Sequence, residues 1–179
     1  MNDEIVKSKL LSIARRYPAP VIGAQICDIE RIAFHILLAA DSKKESLRIC
    51  DIGGGVGLFS VGCAAVGMRV VLVDDFSDAV NSQLGDSVLD LHREHGVSII
   101  SRDVIREGLD FEPTSFDVVT SFDSMEHWHH SPKPLFRQLL EALKPGGTFI
   151  LGVPNCVNLR KRLTVPFGHG KWSGMESWY

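Results

Sequence analysis

The sequence predicts a doubly wound α/β fold, with a mostly parallel sheet and helices on both faces. Two observations predict it. Five short apolar segments alternate with segments of helical periodicity between residues 47 and 153. Strands without a polar face, separated by helices, belong to parallel sheets buried on both sides, and right-handed crossovers then spread the helices over both faces. In addition, three polar clusters fall just after predicted strands, where sheets of this kind hold ligands.

Val6, Leu10, Ile13 and Tyr17 recur at helical spacing and predict a first helix that stops before Pro18 and Pro20. A second helix is expected over Ala24 to Ala40, with Ile26, Ile29, Ala33, Ile36 and Leu37 on one face. These two N-terminal helices either cover a pocket or simply pack on the sheet. Leu47 to Ile52 reads as the first strand and Gly53 to Gly57 as a turn. A helix then runs to about Val66, with Gly67 as its C-cap. Arg69 to Val73 is the second strand. Ser77 to His95 reads as a helix through Val80, Leu84, Val88 and Leu91. Val97 to Ser101 and Phe116 to Phe122 are the third and fourth strands. Pro132 and Pro134 suit the first turn of a helix that uses Phe136, Leu139, Leu140 and Leu143. Pro145-Gly146-Gly147 ends it, and Thr148 to Val153 is the fifth strand.

The 179 residues suffice for one domain, and 45% hydrophobic with 23% charged residues is the balance of a globular protein. A net charge of −3 gives no hint of a nucleic-acid partner, and none is expected. The cysteines at 27, 50, 63 and 156 match no zinc or disulfide spacing, so reduced thiols in the cytoplasm are expected. The N-terminus is too charged for a signal peptide, and no apolar run is long enough to span a bilayer, so no membrane association is expected.

The first polar cluster is Asp51-Ile52-Gly53-Gly54-Gly55-Val56-Gly57. It closes a strand and opens a helix, where glycine lets a ligand approach the backbone and the helix start offers unpaired N–H groups. A dinucleotide fingerprint G-x-G-x-x-G would need glycine at 58 or 60, and these are leucine and serine. That argues against a nicotinamide-dependent oxidoreductase. The second cluster is Asp74-Asp75, with Asp74 standing 17 residues beyond Gly57. A carboxylate at that strand end can accept from two ribose hydroxyls. Asp75 reads instead as a cap for the helix near Ser77. The third is Arg102-Asp103-Val104, where a side-chain acceptor and the Val104 N–H suit an adenine ring.

Together these blocks resemble the class I S-adenosylmethionine-dependent methyltransferases. The match consists of DIGGGVG, VVLVDD, the Asp103 loop, FDVVTSFDSMEH and LKPGGTFILGVPN, in the family's order. The resemblance implies a strand order of 3-2-1-4-5 and S-adenosylmethionine as cofactor. It implies that Gly53, Gly55 and Gly57 pass its methionine and ribose part and that Asp51 holds its amino group, directly or through water. Asp74 would then bind the ribose, and Asp103 with Val104 the adenine. Phe76 fits either the adenine or the core. The family's sheet has seven strands, the last two an antiparallel pair. Only five are found here, and 26 residues follow Val153.

Ser124-Met125-Glu126-His127 is similar to a segment of small-molecule O-methyltransferases, including those of quinone biosynthesis. A small-molecule hydroxyl acceptor therefore ranks first. Such an acceptor needs its proton removed, and His127, with Glu126 beside it, is the candidate base. A loop histidine that caps the next helix is the competing reading. His129 and His130 lie nearby, but no helical pair of ligands can be assigned, so no metal is expected. The alternative function is a cofactor-binding or partner-regulating module without methyl transfer.

The expected organisation is a helical extension at 1–45, a cofactor-binding core at 46–155 and a tail at 156–179. The tail mixes Arg160, Lys161, Arg162 and Lys171 with Phe167, Trp172, Trp178 and Tyr179; an RNA or anionic-substrate surface is one reading of such a mixture, and rings that fill the core edge are the expected one. The fifth strand would be an apolar sheet edge, which makes a homodimer an expectation.

Overall fold

The computed structural model describes residues 1–40, 46–77, 86–128, 130–155, 163 and 165–167. The first helix, α1 (Asp3–Ala14), is capped by Asn2, whose side chain accepts the Glu4 N–H at 2.9 Å. Its Val6, Leu10 and Ile13 are buried, as is Tyr17 just beyond it.

The second predicted helix is in fact two. The helix α2 (Ala19–Cys27) starts after Pro18, with Pro20 in its first turn, and α3 (Ile29–Ala39) follows the single residue Asp28. The prolines that end one helix thus begin the next, because a proline in the first turn forfeits no intrahelical bond. Asp28 makes the break while its carboxylate binds Arg31, with Nη2 at 2.8 Å. α3 buries Ile29, Ile32, Ala33 and Ile36, whereas α2 buries nothing, and Ile26 is 40% exposed instead of facing the core.

Five strands follow: β1 (Arg48–Ile52), β2 (Arg69–Asp74), β3 (Ser98–Ser101), β4 (Phe116–Phe122) and β5 (Leu143–Gly152). They form one sheet in the order β3-β2-β1-β4-β5, with every described pairing parallel. The crossovers include α4 (Leu58–Ala65), α5 (Asp86–Glu94) and α6 (Lys133–Ala142). Val88 and Leu91 of α5 are buried; Val80 and Leu84 lie outside the described residues.

Strand alternation sorts the core into two layers. Ile49, Val70, Leu72 and Val118 join α1, α3 and α4 on one face, while Cys50, Ile52, Val73 and Val119 join Leu135 and Leu139 of α6 on the other. By the same alternation Asp51 and Thr120, paired in register, point to the α4 side.

The end of α6 differs from expectation. Leu140 is 61% exposed, and Leu143 belongs to β5, where it pairs with Phe116. Pairing resumes at Val118 with Thr148, so the Pro-Gly-Gly segment is a bulge inside β5 and not a linker before it. The described strands contain no antiparallel pair, and most of the tail, including Arg160 and Trp172, lies outside the described residues. Phe167 is described and is 78% exposed, so this ring does not fill the core edge.

Candidate functional site

A cavity of about 1030 Å³ opens at the C-terminal ends of β1, β2 and β4. Its wall includes Asp51, Gly53, Gly55, Gly57, Asp74, Asp103, Val104 and His127. Four loops far apart in sequence thus converge because parallel strands end on one side of the sheet. Glu126 does not line this wall. One of its carboxylate oxygens is buried without a partner, and the other lies 4.0 Å from His127 Nε2.

The glycine turn is built around two carboxylates. Gly53 takes φ +70, its N–H donates to Val73 O at 2.8 Å, and a Cβ there would sit 1.9 Å from Ser124 Oγ. A Cβ at Gly54 would lie 2.2 Å from Asp51 Oδ2, so only glycine lets the buried acid come up beneath the turn. Asp51 is 1% exposed and accepts from Ser60 Oγ at 2.7 Å and Thr120 Oγ1 at 2.8 Å. Burial pushes its carboxyl up to about 6, the two hydroxyls oppose this, and the nearby Asp74 adds to it.

Asp74 ends β2 and braces the turn, accepting from Gly55 N at 2.9 Å and Phe76 N at 2.6 Å. A carboxylate offers about four acceptor sites, so bracing the turn and accepting from a ligand are compatible. Asp75 accepts from Ser77 N at 3.0 Å and from its hydroxyl at 2.9 Å. The helix it was expected to cap lies partly outside the described residues. Phe76 packs against the core and does not line the cavity. Asp103 caps its own loop, accepting from Ile105 N and Arg106 N at 3.1 Å each. Val104 is buried beside it.

The acceptor-side groups are more open. His127 ends a short 3-10 turn (Met125–His127) and is 66% exposed at the side chain. Ser124, buried below, accepts from Trp128 Nε1 at 3.1 Å. Across the mouth, Arg31 of α3 bridges Asp28 and Asp123. Gln25, Asp28, Arg31 and Ile32 also line the cavity, so the N-terminal helices both pack on the core and close over the pocket. Of the wall's charged groups, six are aspartates (28, 51, 74, 75, 103 and 123) and three are arginines (31, 102 and 106), a balance that favours a cationic ligand. His130 is on the wall, and His129 lies outside the described residues. Among the described residues no cluster of three or more His, Cys, Asp or Glu could hold a metal ion.

Several site residues escaped the sequence reading. Ser60, Thr120, Arg31 and Asp123 bear on the turn and the cavity, and Tyr17 and His92 bond the turn from outside the wall. One signal was available: Thr120-Ser121 is polar in a strand whose positions 116, 118, 119 and 122 are apolar.

Residues 27–173 match the family described as a methyltransferase domain. The chain belongs to the methyltransferase-domain family. Within it, the chain is 33% identical over 123 residues to a ubiquinone biosynthesis O-methyltransferase of Burkholderia thailandensis, covering 68% of this chain and 50% of that protein. It is 36% identical over 120 residues to one from Xanthomonas campestris pv. campestris, covering 66% and 47%. The chain thus spans about half the length of these curated relatives. Among solved structures, a Haemonchus contortus phosphoethanolamine N-methyltransferase 2 holding phosphomonomethylethanolamine and S-adenosylhomocysteine has a TM-score of 0.54 and 26% identity, covering 80% of this chain and 34% of that one. The cofactor of this methyltransferase domain is S-adenosylmethionine. The site fits it in size, in the glycine backbone along the wall, and in a surplus of carboxylates suited to a sulfonium and an ammonium.

Proposed function

We propose that the chain transfers a methyl group from S-adenosylmethionine to a hydroxyl of a small-molecule acceptor. One observation carries the reading: the glycine turn, Asp74, the Asp103 loop and His127 share one cavity wall. The relatives' name, ubiquinone biosynthesis O-methyltransferase, favours oxygen as the atom methylated.

When bound, the cofactor supplies a methyl group already activated by a positive sulfur. What remains for the protein is placement and proton removal, and placement alone is worth effective molarities of about 10⁵–10⁸ M. The turn and Asp51 hold the amino-acid end, Asp74 accepts from the ribose, and Asp103 with Val104 faces the adenine. His127 takes the acceptor's hydroxyl proton on an imidazole nitrogen, and Glu126, with an oxygen 4.0 Å from Nε2, is the neighbouring carboxylate that would stabilise the charged ring. α2 and α3 exclude water at the mouth.

The reading keeps a helical extension at 1–45, a core at 46–155 and a tail at 156–179, and it extends to a homodimer through β5. The cytoplasm is the compartment in this reading, since the cysteine spacings match no disulfide framework. Among the described residues no helix is long and apolar enough to cross a membrane.

Incubation with radiolabelled S-adenosylmethionine and pooled phenolic acceptors tests the reading. Protein-dependent label in an acceptor is expected. Tight cofactor binding with no transfer to any acceptor would instead establish a binding module.

A further inference from the structure

Two buried side chains from elements outside the glycine motif bond the same stretch of it. Tyr17, three residues past α1, donates its hydroxyl to Val56 O at 2.8 Å and also reaches Gly57 O at 3.4 Å. His92 of α5 places Nε2 3.1 Å from that same Gly57 O and Nδ1 3.0 Å from Val88 O. Neither residue lines the cavity. The elements that carry them are tied together by an Arg16–Glu94 ion pair of 2.5 Å. α1 and α3 press on α4 so closely that a Cβ at Gly62 would lie 2.6 Å from Leu10 and 2.8 Å from Ile36.

Burial raises the Tyr17 phenol above its ordinary value and lowers His92 below its own, while the two carbonyls oppose the latter shift. Both groups are therefore neutral near pH 7. The phenol is a standing donor; the neutral imidazole has one N–H for two facing carbonyls, and the grip requires the tautomer that carries it on Nε2, which donates to Gly57 O. Packing alone asks only for apolar rings of this size. The phenol and imidazole add donors converging on two adjacent peptide units.

We propose that Tyr17 and His92 are positioning residues for the cofactor, gripping the Val56 and Gly57 carbonyls so that the turn keeps its ligand-facing shape. This rests on the reading that the turn binds S-adenosylmethionine. A planar trans peptide carries its C=O and N–H in opposite directions. Holding Gly57 O on the core side turns the Leu58 N–H, the first of α4, the other way, and Leu58 lines the cavity. Helix-start amides such as this lack intrahelical partners and serve ligands.

Calorimetric titration of S-adenosylhomocysteine into the full chain tests the grip, at a temperature well below each variant's melting point. Tyr17→Phe deletes one hydroxyl and is expected to raise Kd about five- to tenfold. His92→Leu removes the second donor, while His92→Gln keeps an amide N–H and restores part of the affinity. The double variant Tyr17→Phe/His92→Leu loses less than the product of the single losses, because both act on Gly57 O. A purely structural role would lower the melting point and leave the Kd of the folded protein alone. Values within about twofold of wild type in folded Tyr17→Phe and His92→Leu overturn the proposal, and Tyr17→Phe decides alone if the histidine variants do not fold. A wild-type chain that binds no S-adenosylhomocysteine overturns the methyl-transfer reading and this one with it.

Discussion

The Gly55 N–H donates to Asp74 Oδ2 at 2.9 Å, joining the turn after β1 to the end of β2. Two motifs that are separate in sequence are thus one device. The acid expected to hold the ribose also holds the glycine backbone along which the cofactor passes.

Asp74→Ala therefore removes a ligand acceptor and a brace at once. Hydrogen bonds to a charged acceptor are worth about 1.5–3 kcal/mol, so Kd for S-adenosylmethionine is expected to rise tenfold or more. Asp74→Asn keeps an oxygen for one partner and loses less. Wild-type affinity in a folded Asp74→Ala variant, measured by calorimetry, would sink the assignment.

Asp51 couples stability and binding to pH. Its folded carboxyl titrates at about 6 against an ordinary 3.8, so between those values the folded state binds more protons than the unfolded one. The stability it contributes is present below about pH 4 and falls as pH rises through 6, by an amount on the order of 3 kcal/mol for a gap of roughly two units. Asp51→Asn should melt higher than wild type at pH 8 and flatten the melting curve between pH 4 and 6. A cationic ligand favours the carboxylate, so cofactor affinity is expected to weaken as pH falls below 6, a dependence the variant lacks. Equal melting points for the two proteins at pH 8 would contradict the burial argument.

His127→Ala is expected to leave cofactor affinity nearly unchanged, because the ring is mostly exposed and bonds nothing in the turn. Turnover on a hydroxyl acceptor should drop by about 10²-fold or more, the usual contribution of a general base. Unchanged turnover would return His127 to the role of a loop residue.

β5 is one of the two described edges of the sheet; its Leu151 is 39% exposed and Val153, just beyond it, 49%. Apolar edges recruit further strands. The 179-residue chain is expected to self-associate with rising concentration in light scattering, and Leu151→Lys to reduce this. A wild-type chain monomeric at high concentration shows that the edge is tolerated.

Periodicity and composition alone determined the alternation of strands and helices, the parallel sheet and the places where ligand-facing clusters fall. Those features depend on residues near one another in sequence: Gly53 to Gly57 must turn, and Val70 to Val73 must be buried. The strand order came from the family likeness of the motifs. Tertiary structure alone decided what supports the turn, because Ser60, Thr120, Tyr17 and His92 reach it from four other elements, and such convergence leaves no local pattern. It also split the second helix at Asp28. Periodicity marks a face that is free to be buried, but here α3 supplies the fully buried residues, and α2 lies at the pocket rim with Val21 and Ile22 only half-buried against the core and Ile26 exposed.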